Sequence, residues 1–136
     1  MTLVPGHACY KMLCEAANKP TQEICGIILQ DWTVVPITNV AESDAEFYMD
    51  ETELLRWMIK TNGDLLGVYH SHPNGRPHPS DVDETFTYPL YRYFIAAGSH
   101  LYEWTFTDDG PRCVDASGKA LPKDVVNPIF NFAEKV

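Results

Sequence analysis

An apolar run, Leu65-Leu66-Gly67-Val68-Tyr69, leads without a break into His70-Ser71-His72-Pro73-Asn74-Gly75-Arg76-Pro77-His78-Pro79-Ser80-Asp81-Val82-Asp83. The apolar part reads as a buried strand, and the polar, proline-rich part as its exit loop. The fourteen residues from 70 to 83 hold three of the five histidines, three prolines and two aspartates. A strand buried on both faces must sit inside a sheet, with other elements covering it. The chain is therefore bound to a fold that gathers imidazole, carboxylate and hydroxyl groups at one strand end. Those groups are what a catalytic metal site requires, and the remaining residues read as the scaffold that holds them.

The scaffold can be followed in order. Residues 5 to about 18 read as a helix, with Pro5 in the first turn and Ala8, Met12 and Ala16 on one face beside Cys9 and Leu13. Asn18-Lys19-Pro20 ends it. Glu23 to Gln30 is β-branched and apolar and reads as a central strand. Asp31-Trp32 is a turn. Thr33 to Val40 is a second strand whose Pro36 argues for an edge or a bulge. Asn39 to Ala45 is loop-like, and Glu46-Phe47-Tyr48-Met49 reads as a short third strand.

Asp50 opens a second helix, with Glu53 three residues on as in a capping box. Leu54, Leu55, Met58 and Ile59 form its apolar face, and Asn62-Gly63 stops it. After the strand that ends near His70, Ser80 can cap a short helix through about Tyr88, with Asp83 in its first turn and Pro89 at its end. Arg92 to Ala97, the Gly98-Ser99 turn and His100 to Phe106 make a hairpin. Thr107-Asp108-Asp109-Gly110 is a turn, and Arg112 to Ala116 a last short strand before a Gly/Pro-punctuated tail. This order predicts an α/β fold: a single domain over residues 1–136, with one mixed sheet flanked by helices.

Composition narrows the function. The formal net charge is −9 and no basic run occurs, so a phosphate backbone would be repelled and nucleic acid is not expected as a partner. No apolar run approaches the roughly 18–20 residues of a membrane helix. No secretory signal is evident at the N-terminus, so a cytoplasmic setting is expected, or virion or host cytoplasm for a phage protein. The four cysteines form no C-x-x-C pair, which disfavours a thiolate zinc knuckle or a redox dithiol. They are expected to be reduced and most of them small core residues, Cys25 included, since nothing near it would activate a thiol.

His70 and His72 lie two apart at a strand end. Both side chains then share one face, and Ser71 takes the other. Two imidazoles on one face can bind one cation. Asp83 comes eleven residues after His72, and the turn signals between them let the chain fold back. Two histidines and a carboxylate leave a tetrahedral metal with one open position, as in catalytic zinc sites. That chemistry needs a further carboxylate as base. Glu23, at the mouth of an apolar strand, is a candidate, but the pattern alone does not single it out from nineteen acidic residues. Ser80 is placed either to stabilise an oxyanion or simply to cap a helix. His78 reads as an exposed loop residue, and His7 and His100 as structural. Trp32, Trp57 and Trp104 read as core or rim aromatics, with Trp104 and Tyr102 as candidates to line a substrate groove.

His70-x-His72-x10-Asp83, bounded by Ser71-His72-Pro73 and by Pro79-Ser80-x-x-Asp83, resembles the JAMM (MPN-plus) metalloprotease motif. Glu23-Ile24-Cys25-Gly26 resembles that family's upstream glutamate segment. The layout agrees over about residues 7–107. The resemblance implies a cytidine-deaminase-like α/β fold, one Zn(2+) per chain and hydrolysis of peptide or isopeptide bonds. It implies that His70, His72 and Asp83 bind zinc, that Glu23 is general base and acid, and that Ser80 steadies the tetrahedral intermediate. The interval from Glu23 to His70 is compact and no long insertion follows, so the chain looks like the small stand-alone bacterial and phage members. Some of these resemble proteases that free the C-terminus of a ubiquitin-like sulfur-carrier protein, and others phage tail-assembly peptidases. The expected partner is thus a protein with an extended C-terminal tail, which could add as a strand at an exposed sheet edge. A non-catalytic MPN scaffold is the alternative from another class, and the intact residue set counts against it. A zinc deaminase would want H-x-E with P-C-x-x-C, and neither occurs.

Overall fold

The computed structural model describes residues 3–44, 46–77, 79, 91–107 and 110–115. Helix α1 (Gly6–Asn18) is followed by strands β1 (Cys25–Leu29) and β2 (Val34–Ile37), helix α2 (Glu51–Thr61), and strands β3 (Leu65–His72), β4 (Arg92–Ala97), β5 (His100–Thr107) and β6 (Gly110–Asp115). The strands form one mixed sheet in the order β2-β1-β3-β4-β5-β6. Only β3 and β4 run parallel, and the other pairs are antiparallel. This is the expected α/β architecture. The helix read at 80–88, the tip of the 107–110 turn and the tail from 116 lie outside the described residues.

The sheet is covered on both faces because its strands are apolar on both. On β1, Ile28 packs with Ala8 and Met12 of α1, together with Tyr69, Phe94 and Leu101. Its neighbour Ile27 points the other way and packs with Leu54, Trp57 and Met58 of α2. Two glycines let this layer close. A Cβ on Gly26 would run into the Tyr69 ring, and one on Gly67 into the backbone carbonyl of Arg92 on β4.

The helix ends follow from local chemistry. Pro5 stands in extended backbone at the start of α1, and its carbonyl accepts the N–H groups of Ala8 and Cys9. Asp50 caps α2 by accepting the Glu53 N–H at 3.0 Å. The reciprocal half of the capping box is absent. The Glu53 carboxylate instead accepts the Thr38 N–H at 3.2 Å, and the Asp50 N–H donates to the Thr38 carbonyl at 2.9 Å. Asn62 takes the left-handed conformation (φ 56°), and Gly63 returns its N–H to the Met58 carbonyl at 2.9 Å.

Three expectations are corrected. Leu55 and Ile59 are 59% and 72% exposed, and Trp57 takes their place in the core. At 100° per residue only Leu54, Trp57 and Met58 reach the sheet, because α2 leans on it along a narrow stripe. Residues 46–49 form no strand but a single bridge, Asn39↔Met49. The Asn39 side chain bonds the backbone there and replaces a ladder. Trp104 and Tyr102 are buried with Ile95 and Ala97, so they line no open groove.

Edge strand β2 carries Pro36, as its sequence suggested. Pro36 has no N–H to offer. The Val34 carbonyl accepts the Lys11 ammonium at 2.8 Å, and Thr38, just past the strand, has both backbone groups taken by the start of α2.

Candidate metal centre

The sheet register builds the site. Cys25 on β1 stands opposite His70 on β3, and His70 stands beside Ile95 on β4. Glu23, two residues before Cys25, leaves the strand on the same face. His72 lies two residues beyond His70, beside Ala97. Strand β3 runs through His72 and does not end at His70, so both imidazoles are fixed by a ladder and not by a loop. Glu23, His70 and His72 are each buried, at 8% exposure. Their nearest nitrogen and oxygen atoms all lie within 4.8 Å of one another.

The donor set suits a cation. The two Nε2 atoms face each other at 3.0 Å. Ligands about 2.0–2.1 Å from a tetrahedral zinc would be separated by about 3.3 Å, so little adjustment is needed. The Nδ1 of His72 lies 2.7 Å from the Arg76 carbonyl. A carbonyl only accepts, so this nitrogen carries the proton and Nε2 keeps its lone pair. Gly75 makes that contact reachable. Its positive φ (79°) turns the chain back, and its N–H donates to the His72 carbonyl at 2.9 Å. Farther along, the Pro77 carbonyl accepts the indole N–H of Trp104, which anchors the loop to β5.

Ser71 points to the opposite face from the imidazoles. Its hydroxyl accepts the Ile24 N–H at 2.9 Å. Cys25 is inert. Burial, reinforced by the charges of Glu15, Glu23 and Glu53, pushes its thiol up to about 12. A cleft of about 340 Å³ opens beside Glu23, walled by Ile37, Thr38, Asn39, Ser43 and Asp44 among others.

The structure thus brings together three of the five residues singled out in the sequence. Ser80 and Asp83, like His78, lie outside the described residues. Two neighbours of the site carry no signal in the sequence. Phe47 stacks on His70, with ring centroids 4.4 Å apart and planes 23° apart. Asn39 donates from its side-chain amide to the Glu23 carbonyl at 2.8 Å. Their proximity is tertiary, and no periodicity or spacing announces it.

Residues 8–108 match the family described as prokaryotic homologs of the JAB domain. The chain is similar to a desampylase of Haloferax volcanii, 35% identical over 104 residues, which is 66% of this chain and 75% of that protein. The fold is similar to a solution structure of a protein from Desulfitobacterium hafniense. The TM-score is 0.59 at 25% identity, covering 78% of this chain and 83% of that one. Among the described residues no helix is long and apolar enough to cross a membrane.

Proposed function

The chain belongs to the family of prokaryotic JAB-domain homologs, and from that premise we propose that it is a zinc-dependent peptidase or isopeptidase. Its substrate on this reading is a ubiquitin-like or sulfur-carrier protein, cut at that protein's C-terminus. The similar desampylase supports the substrate class, since its name describes removal of a ubiquitin-like modifier. The observation that carries the reading is the convergence of Glu23, His70 and His72, buried together at one end of the sheet.

His70, His72 and Asp83 would hold one zinc ion per chain, which would supply Lewis acidity and lower the pKa of a water. The chain's own residues do the rest. Glu23 takes a proton from the attacking water and passes it to the departing amine. The Arg76 carbonyl fixes the His72 tautomer, so its Nε2 stays a ligand atom. Ser80 donates to the oxyanion as charge develops. Burial of the three described groups excludes bulk water and strengthens each of these interactions. A cytoplasmic setting fits the free thiols of Cys9, Cys14 and Cys25.

The test is direct. The zinc-loaded chain is incubated with a ubiquitin-like protein joined through its C-terminus to a lysine side chain, and with a linear fusion. Intact mass should show two products that sum to the conjugate plus one water. If zinc-loaded protein leaves both substrates whole, the reading fails.

A further inference from the structure

We propose that Asn39 is a positioning residue that couples the Glu23 backbone to the aromatic wall over His70. The inference rests on the reading of Glu23 as the base. Its physical basis is a side-chain amide with every hydrogen-bonding capacity used. The Asn39 Nδ2 group donates to the Glu23 carbonyl at 2.8 Å and to the Glu46 carbonyl at 3.1 Å. The Oδ1 atom accepts the N–H of Ala41 and the N–H of Tyr48, each at 2.9 Å. An amide offers two donors and an oxygen with two lone pairs, so none is left over.

The bond to Ala41 is local, and the other three of these four bonds join two places. One is the residue that carries the base, just before β1. The other is the segment 46–48, whose middle residue Phe47 stacks on His70. Glu46 and Tyr48, the residues on either side of Phe47, are the ones that Asn39 holds. A single side chain therefore sets both the start of β1 and the ring that presses on an imidazole of the site. The backbone also ties this segment, through Val40 N–H to the Tyr48 carbonyl at 2.8 Å and the Asn39↔Met49 bridge. Losing the amide thus loosens the register without detaching the segment. Removing a group that orients the residues of a metal site typically costs about 10- to 100-fold.

The test uses Asn39→Asp and Asn39→Ala in the full chain. Asp is isosteric and keeps the two acceptor bonds, but it sets a carboxylate oxygen against the Glu23 and Glu46 carbonyls. Expected for both variants is a kcat lowered about 10- to 100-fold with KM within about twofold and zinc content unchanged. The second readout needs no turnover. In metal-free protein, NMR should show the His70 ring protons moved downfield, towards their position in Phe47→Ala, as ring-current shielding is lost. A third measurement needs no variant: both Asn39 side-chain amide protons in the unaltered chain should exchange slowly with solvent. Wild-type kcat in both variants, unmoved His70 resonances, or freely exchanging Asn39 amide protons would each overturn the proposal. Glu23→Gln separates this from the functional reading. If that variant cleaves normally, the base assignment fails, while the NMR and exchange measurements still judge the coupling.

Discussion

Ser71 and Ile24 are locked to each other twice. The Ile24 N–H donates to the Ser71 hydroxyl at 2.9 Å, and the Ser71 N–H donates to the Ile24 carbonyl at 3.0 Å. Ser71 sits between His70 and His72, and Ile24 follows Glu23. This pair therefore sets how far the glutamate stands from the imidazoles, across 47 residues of chain.

Ser71→Ala removes one of the two locks and leaves a buried N–H without its partner. The expected loss is about 1–3 kcal/mol of folding stability. Urea denaturation of the metal-free protein measures it. A loss below about 0.5 kcal/mol, the range of ordinary surface changes, would show that the hydroxyl holds nothing together.

Glu23→Gln keeps the size of the side chain but cannot accept a proton. Zinc content is expected to stay at the wild-type level while kcat falls by about 100- to 10,000-fold. Elemental analysis and peptidase assays on the same preparation check both halves. A variant that cleaves at the wild-type rate would remove Glu23 from its role.

Protein never exposed to chelator should carry about one zinc per chain, as a site with three protein ligands and one open position requires. His70→Ala and His72→Ala should each lose most of it, and dialysis against chelator followed by zinc should abolish and then restore cleavage. Finding no metal in protein so prepared would end the metalloenzyme reading.

Glu15 gives a prediction that leaves the metal aside. Burial lifts its carboxyl above the usual range, although the Tyr69 hydroxyl, Lys11 and Lys19 pull it back. A carboxyl raised in this way contributes stability at low pH that is lost as the pH climbs through its folded-state value. Gln at this position pays no such penalty. Relative to wild type, Glu15→Gln should therefore gain stability as the pH rises above the ordinary carboxylate range, measured by thermal melts over a pH series. A difference that does not change with pH would refute the assignment.

What the sequence made legible is what repeats. Met12 and Ala8 announce α1 by helical spacing, and the hairpin around Gly98 is bounded by two runs of strand-forming residues. The imidazole pair was legible because period two holds along β3 wherever that strand lies. Other features depend on who the neighbour is. Phe47 looks like a strand residue by propensity, yet its ring is spent on His70. Leu55 and Ile59 fit an apolar face until α2 is seen to lean on Leu54, Trp57 and Met58. Trp104 looks like a rim aromatic until its indole N–H is found on the Pro77 carbonyl. Glu23 is the middle case: the chemistry called for a carboxylate, and the fold put this one within reach of the two imidazoles.

Strand β2 has a meaning beyond the sheet it borders. On the proposed function, the molecule would work among extended strands, those of its substrates and those of its own unfolded copies. An unguarded border would let such strands crystallise onto it and turn the enzyme into a seed for fibres. With Pro36 lacking an N–H, Lys11 seated on Val34, and Thr38 sealed by Asp50 and Glu53, that border offers little to copy. Under that proposal, a blunted β2 would keep passing strands from assembling there, and a substrate tail would be expected at a different edge.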